Sequence, residues 1–571
     1  MVVVAFVLVL FFNTYFNVTS GVAINEDATS LTEKFYLSGP DPYYNARLIE
    51  ETLESGEYAY LGGEYGTTDP LLNYPLGRSG GRPPLFNMIT MGAGKLMSPI
   101  MGEVDALGYA MQFLPALYGA LLVFPVYVIG SRLFNWKAGL VGAFMVALIP
   151  IHLSSGHGSA YSLYDHDSFV LLLTTTAMMF LTLSLTEQHD KKSMLYAFMA
   201  GACIAAMSMT WVAARYIYAV VAVYAVAQMF LDIVSSRINL RVPRTINIAL
   251  FSGYLIALPF FFYRQGLAMT TELAVILGVA VFSGIYLWLD RQNIPWVVSI
   301  PSIFGLGGIG LVFLYLIRDT SIAALQPLTR ISDILYGSGI YGNKVSLTIA
   351  EASTFDFSRN VMSFGPVLFW LAWIGFVLLA YRFWKDRSKR GYFLIIMWLL
   401  VETWLLSTAG RFLNNLVPVM AVLGGWILWM TVDRLNFKDM VATIKGVGGG
   451  WYGFKKGVKI RHVAGVVFIV FFVFMPNGWM AFDASLPSTM KRDFDTNIHG
   501  AFGLGLNTEE YWTDAFGWLE QQDRNMSNIE KPAIISWWDY GFYEVAIAKH
   551  PTVADNFQDG IPPAANFQTA E

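Results

Sequence analysis

The chain has 571 residues, 55% of them hydrophobic and 14% charged, with a mean hydropathy of +0.49 and a formal net charge of −4. An ordinary soluble domain carries about 25% charged residues, so this composition excludes a water-soluble enzyme, and the acidic balance excludes a globally basic nucleic-acid binder. The one cysteine, Cys203, lies in an apolar run, which leaves no intrachain disulfide and disfavours a thiolate metal site.

A spanning helix needs about 20 mainly apolar residues. About thirteen candidates meet that criterion, near residues 2–18, 108–134, 138–156, 168–186, 194–214, 216–235, 245–263, 272–289, 296–317, 361–383, 392–409, 414–432 and 463–482. The first lacks the basic lead of a secretory signal and reads as an anchor. With the N-terminus inside, every second loop is cytoplasmic, and those loops hold most of the basic residues. Lys191 and Lys192 lie in one, Arg382 to Arg390 in another, and seven Lys or Arg occur over 433–462. The short outer connections hold little beyond Arg215, Arg264 and Arg411. This asymmetry obeys the positive-inside rule and, with an odd number of spans, places the tail outside the cell. Residues 1–482 are therefore expected to form a transmembrane domain with two long outer loops, 19–107 and 318–360. Residues 483–571 are expected to begin a soluble, mixed α/β extracytoplasmic domain.

Five stretches carry chemistry. Asp41, in Gly39-Pro40-Asp41-Pro42-Tyr43-Tyr44, sits between prolines that stiffen the backbone, although an Asp-Pro turn would read the same way. Tyr164-Asp165-His166-Asp167-Ser168 opens the fourth span. Its two carboxylates diverge on a helix but converge on an extended turn, where with Asp41 they offer oxygen ligands suited to Mg²⁺ or Mn²⁺. His166 is expected to point elsewhere or to act behind the ligands, and the plainer role for an Asp here is capping the span. Glu351, in Thr348-Ile349-Ala350-Glu351, lies in the second long loop and by itself reads as a solvated carboxylate. Arg411, at the outer mouth of the twelfth span, either snorkels to water or grips a lipid phosphate through its two-pronged guanidinium. Last comes Ser536-Trp537-Trp538-Asp539-Tyr540-Gly541, where two indole N–H donors beside a carboxylate suit a small hydroxyl. The alternative is a packed strand end with a glycine turn.

Trp537-Trp538-Asp539-Tyr540-Gly541 resembles the acceptor-reading motif of the catalytic subunit of N-linked oligosaccharyltransferases, in an archaeal style. Asp41, Asp165 with Asp167, Thr348 to Glu351, and Arg411 match that family's other motifs in order, so the resemblance covers nearly the whole chain. It implies a polytopic α-helical fold of GT-C type, acting as a single subunit in the cell membrane. It further implies transfer of an oligosaccharide from a polyprenyl (dolichyl-type) phosphate or pyrophosphate to the Asn of Asn-X-Ser/Thr sequences. Asp41 and Glu351 would twist the acceptor amide. Asp41, Asp165 and Asp167 would hold Mn²⁺ or Mg²⁺. Arg411 would bind the lipid phosphate, and Trp537, Trp538 and Asp539 the acceptor hydroxyl, with Glu351 closing over the peptide.

Two features depart from the family pattern. Gly158, beside His157, stands where some relatives have Arg, and no Asp-X-X-Lys follows Gly541, from which a C-terminal truncation is expected. Two rivals share the membrane plan. Another polyprenyl-phosphate sugar transferase would need no Trp-Trp-Asp pocket, and a transporter would place its ionisable groups near the bilayer midplane.

Overall fold

The computed structural model describes residues 1–19, 28–62, 66–153, 158–265, 270–317, 322, 328–329, 356–487, 490 and 510–570. Among these, ten helices are long and apolar enough to cross a membrane, from Glu103–Leu133 to Ile460–Ser485. Val2–Val18 and Trp136–Val146 are apolar but shorter. The remaining expected span meets Asp190–Ser208, whose 19 residues begin with Asp190, Lys191 and Lys192. Each expected span thus coincides with a helix, while ten pass on length and composition. Trp136–Val146 is short because Pro150 starts a separate turn, Pro150–Leu153: proline donates no hydrogen bond and biases the residue before it away from helix.

The centre of the bundle is Val417–Leu435, in the stretch Gly410–Gly446 whose apolar window is 72% buried; Trp296–Ile317, with 6% buried, lies at the periphery. Close packing at the centre depends on missing side chains. A Cβ on Gly425 would run into the backbone of Gly142, so the helices Val417–Leu435 and Trp136–Val146 touch backbone to backbone. Small residues at contacts of this kind let membrane helices approach closely enough for dispersion forces to act.

Ahead of Glu103–Leu133, the described part of residues 28–101 is folded. It contains the helices Pro40–Ser55 and Leu85–Met101 and a two-stranded antiparallel ribbon, Thr68–Asp69 paired with Arg78–Ser79. Buried Arg47 pairs with Asp69 at 2.8 Å and with Glu51 at 2.8 Å, and Tyr44 donates to Asp69 at 3.1 Å. A buried guanidinium is tolerated only when its donors are matched in this way.

Beyond the last span, described residues 510–570 form the helices Glu510–Gln521, Gly541–Ala546 and Ile561–Thr569, with one parallel bridge, Ile534 to Thr552. Backbone hydrogen bonds Thr552 N to Leu71 O (2.8 Å) and Tyr74 N to Thr552 O (2.9 Å) join this segment to residues 66–80.

Candidate active site

Asp41 lies in the first turn of Pro40–Ser55, so its two flanking prolines occupy a helix start, where their fixed φ is favourable. The chain enters through Gly39 at φ 95°, a left-handed conformation that side chains resist. Asp167 is the first residue of Asp167–Thr186, and His166 stands at the cap without a side-chain capping bond. Asp165 Oδ1 accepts from the His166 backbone N–H at 2.7 Å just ahead of the helix, while Asp167 meets its positive end.

Of the two placements expected for His166, the structure excludes the first. Rather than pointing away, its ring lies between the two carboxylates, with Nδ1 2.6 Å from Asp165 Oδ1 and Nε2 3.8 Å from Asp167 Oδ1. Asp165, His166 and Asp167 each offer one ligand atom, all within 4.8 Å of one another. That set of two oxygens and one imidazole nitrogen fits a divalent ion, and it is softer than the all-oxygen set expected from sequence.

Asp41 joins this group through an arginine absent from the sequence reading. Arg82 pairs directly with Asp41 and lies 3.7 Å from Asp165 Oδ1. Arg411, on the turn Gly410–Leu416, reaches Asp167 Oδ1 at 3.4 Å and sits 5.1 Å above the Trp211 ring. His166 packs 5.7 Å from the same indole. Burial pushes the Asp165 carboxyl up, but His166, Arg82 and Arg411 outweigh it and hold the group well below the usual carboxylate range. Arg82 and Arg411 thus flank the carboxylates of Asp41, Asp165 and Asp167, and Arg411 and His166 both pack against Trp211.

The Trp-Trp-Asp stretch forms a 3-10 turn, Trp538–Tyr540, running straight into Gly541–Ala546, in place of the alternative strand end. Gly541 is required because a Cβ would strike Ala554 O and Asp555. Asn556 fastens the turn from both sides, donating to Asp539 O at 3.0 Å and accepting from Phe542 N at 2.9 Å. Trp538 is buried against Ala554 and Ala564, with its indole N–H unmatched, whereas Trp537 is half-buried and Asp539 exposed.

Aromatic rings connect this turn to the acids. Tyr44 stacks on Phe542 at 4.4 Å and 11°, Tyr43 meets Tyr543 at 5.3 Å, and Phe557 stands edge-on to Tyr44 at 5.5 Å and to Phe542 at 5.0 Å. The Arg82 guanidinium lies 5.7 Å from the Tyr44 ring and 5.6 Å from both Phe542 and Phe557. Arg78 closes the edge with a 2.8 Å ion pair to Asp559. Glu351 and Thr348 lie outside the described residues.

Arg82 and Glu402 are both marked in the sequence by their surroundings. Arg82 is fixed between two glycines and two prolines, in Gly80-Gly81-Arg82-Pro83-Pro84. Glu402 interrupts an apolar run inside the helix Arg390–Thr408, fully buried, and accepts from Asn415 at 3.3 Å on the turn that carries Arg411. An ionisable group inside a span is a functional marker by default.

A family model described as "Oligosaccharyl transferase STT3, N-terminal" matches residues 15–480. The dolichyl-phosphooligosaccharide-protein glycotransferase 3 of Archaeoglobus fulgidus is 26% identical, over 94% of this chain and 63% of that protein. Archaeoglobus fulgidus oligosaccharyltransferase AglB, solved with an inhibitory peptide and a dolichol-phosphate, superposes with a TM-score of 0.75 at 22% identity, covering 100% of this chain and 66% of that one. The Archaeoglobus fulgidus oligosaccharyltransferase solved with Zn and sulfate gives a TM-score of 0.68 at 22% identity, covering 100% and 65%. The chain therefore spans just under two thirds of the length of these relatives, and the structural likeness establishes a common fold.

Proposed function

The chain belongs to the oligosaccharyl transferase STT3 family, and from that premise we propose that it is a multi-pass membrane glycosyltransferase of protein N-glycosylation. In this reading it moves an oligosaccharide from a polyprenyl phosphate or pyrophosphate to the side-chain amide of Asn in Asn-X-Ser/Thr, on the extracytoplasmic face, as a single subunit. One observation carries it: the acid cluster and the Trp-Trp-Asp turn belong to one packed body, joined by Tyr44 and Phe542. A transferase needs its acceptor held beside its leaving-group site, because orienting two substrates removes much of the entropic barrier. A transporter has no use for that juxtaposition.

The roles divide by chemistry. Asp41, at a helix start and steadied by Arg82, accepts hydrogen bonds from the acceptor amide; Glu351 is proposed to do the same from the second outer loop. Rotation about a conjugated amide costs about 18–20 kcal/mol in a peptide bond, so such bonds serve to weaken the conjugation. Arg411 presents parallel donors to the departing phosphate over the Trp211 face. Trp537, Trp538 and Asp539 read the hydroxyl two residues beyond the Asn; the buried, unmatched Trp538 N–H supports that role. Asp165, His166 and Asp167, with Asp41 nearby, would hold a divalent cation, Mn²⁺ or Mg²⁺ in our proposal, which supplies Lewis-acid neutralisation of charge on the leaving phosphate. AglB was solved with a dolichol-phosphate and a peptide, and an Archaeoglobus fulgidus relative with Zn, which supports both substrate classes and a metal.

The test is glycan transfer by the purified chain from a lipid-linked glycan extract to a fluorescent Asn-X-Thr peptide with Mn²⁺. Transfer to that peptide but not to its Gln-X-Thr or Asn-X-Ala analogues is the expected result. Transfer to free lipid or sugar acceptors, with the peptide untouched, would favour a polyprenyl-phosphate sugar transferase of another kind.

A further inference from the structure

We propose that the helix pair Phe437–Gly446 and Gly450–Gly457 lies flat in the headgroup layer of the cytoplasmic leaflet and binds anionic phospholipid headgroups. The inference is independent of the transferase reading, because it concerns the opposite face of the membrane.

The pair is tethered at a single point. The span Val417–Leu435 delivers the chain to it, and Ile460–Ser485 takes the chain back into the membrane. A Cβ on Gly465 would strike the Leu435 side chain, and the Phe437 ring lies 5.7 Å from His462, so exit and re-entry are adjacent. Between them Gly448, Gly449 and Gly450 all have positive φ, at 87°, 72° and 65°, a reversal that only glycine makes readily. Gly453 and Gly457 let the second helix settle on the carbonyls of Ile444 and Met440.

The pair has no core of its own. In the first helix nothing is buried, and in the second only Gly453 and Gly457 are. Trp451 is 70% exposed, Tyr452 62% and Phe454 48%. Short helices are marginal in water without packing partners, and this pair lies between two spans, Val417–Leu435 and Ile460–Ser485, at the level where the lipid boundary is expected. Aromatic rings collect at that depth, apolar body inward and polar edge outward.

The charge specifies which lipid. Residues 433–462 contain seven Lys or Arg against Asp433 and Asp439, a net charge of +5. Lys455 lies 5.5 Å from the Trp451 ring and Lys456 5.1 Å from Tyr452, so two ammonium groups stand beside the rings, as in a helix lying in an interface. Positive residues collect on the cytoplasmic side, and each one near an anionic surface strengthens binding roughly fivefold.

The full chain would be placed in nanodiscs of phosphatidylcholine, with or without phosphatidylglycerol. In a Cys203→Ser background, Trp451→Cys or Tyr452→Cys carries a spin label whose collisions with oxygen and with a water-soluble nickel chelate are compared. Oxygen should dominate, and more so with phosphatidylglycerol. Native mass spectrometry of the chain with its own cysteine should show retained phosphatidylglycerol, reduced at least about fivefold by Lys455→Gln with Lys456→Gln. Dominant nickel collisions in both lipids would overturn the proposal, leaving the rings in water for a soluble partner or a nucleic acid. Exclusion of both reagents would also overturn it, since protein, such as a second copy of this chain, would then cover the face. Unchanged lipid retention in the glutamine variant would remove the anionic specificity.

Discussion

Tyr44 and Phe542 stack face to face at 4.4 Å and 11°, although 498 positions separate them in the chain. Tyr44 lies three residues after Asp41 and Phe542 three residues after Asp539, so one ring pair sets the spacing between Asp41 and the Trp-Trp-Asp turn. Removing a buried phenyl ring costs about 3–5 kcal/mol. Phe542→Ala should therefore loosen residues 541–546 and weaken acceptor peptide binding at least tenfold. Asp539→Ala should weaken peptide binding without loosening anything. Hydrogen exchange read beside peptide affinity separates the two, and peptide affinity unchanged in Phe542→Ala would show the stack to be dispensable.

Arg82 shares Asp41 and Asp165 with whatever cation approaches them. Arg82→Met removes a competing positive charge and also the guanidinium held among Tyr44, Phe542 and Phe557. Mn²⁺ affinity, read by paramagnetic resonance of the free ion, should rise several-fold while peptide affinity falls. A fall in both would mean that Arg82 organises the acids rather than competing for them.

Three ligand atoms within 4.8 Å should behave as one unit. Asp165→Ala, His166→Ala and Asp167→Ala should each lower activity by at least about a hundredfold, since changes even behind a ligand cost 10–100-fold. The double change at the two aspartates should add little to the worse single one. Activity should vanish with a chelator and return with Mn²⁺ or Mg²⁺. Multiplicative losses, or activity that survives chelation, would leave Asp167 as only a helix-start carboxylate.

At Arg411, lysine keeps the charge but not the paired donors. A bond to a charged group is worth about 1.5–3 kcal/mol, so Arg411→Lys should raise the KM for lipid-linked donor on the order of tenfold. The KM for peptide should hold. No change in either would leave Arg411 as an interfacial side chain.

Burial raises Glu544 to about 7 despite hydrogen bonds with Ser536 and Thr552. Burial, followed by the neighbouring Asp559, raises Asp555 to about 7 against the pull of Arg78. Both are therefore protonated in the folded segment over a range where the unfolded chain is ionised, so stability falls as pH rises. For Glu544 the fall runs from its ordinary value of 4.5 up to about 7 and then stops. Hydrogen exchange at 541–546, corrected for the intrinsic base-catalysed rate, should quicken between pH 5 and 7 and level off above. Glu544→Gln should flatten much of that slope; a slope unaltered in the variant would assign it to Asp555 alone.

Much of the membrane body was legible because hydropathy is local. A run such as 168–186 buries its own backbone hydrogen bonds as a helix whatever lies beside it, and the expected spans met helices on that ground. The count blurred where locality fails. Residues 138–156 looked like one span, yet Pro150 divides them, and Trp136–Val146 stays in the centre only because Gly142 meets Gly425. At the site, Asp165, Asp167 and Arg411 were legible as charges at the ends of apolar runs, where ionisable groups are conspicuous. Asp165 and Asp167 now carry His166 between them and Arg411 beside them.

The sequence by itself determined the residue types: which segments prefer lipid, which acids border them, and that Trp537-Trp538-Asp539 lies beyond the last span. Tertiary structure decided directions and partners. His166 faces the carboxylates because the cap of Asp167–Thr186 turns it inward, a matter of backbone angles that residue spacing does not encode. Arg82 pairs with Asp41 of Pro40–Ser55 and at the same time lies against Phe542, from the other end of the chain. Hydropathy adds residue by residue and can be read along a line; a contact across 498 positions depends on packing, which no line contains.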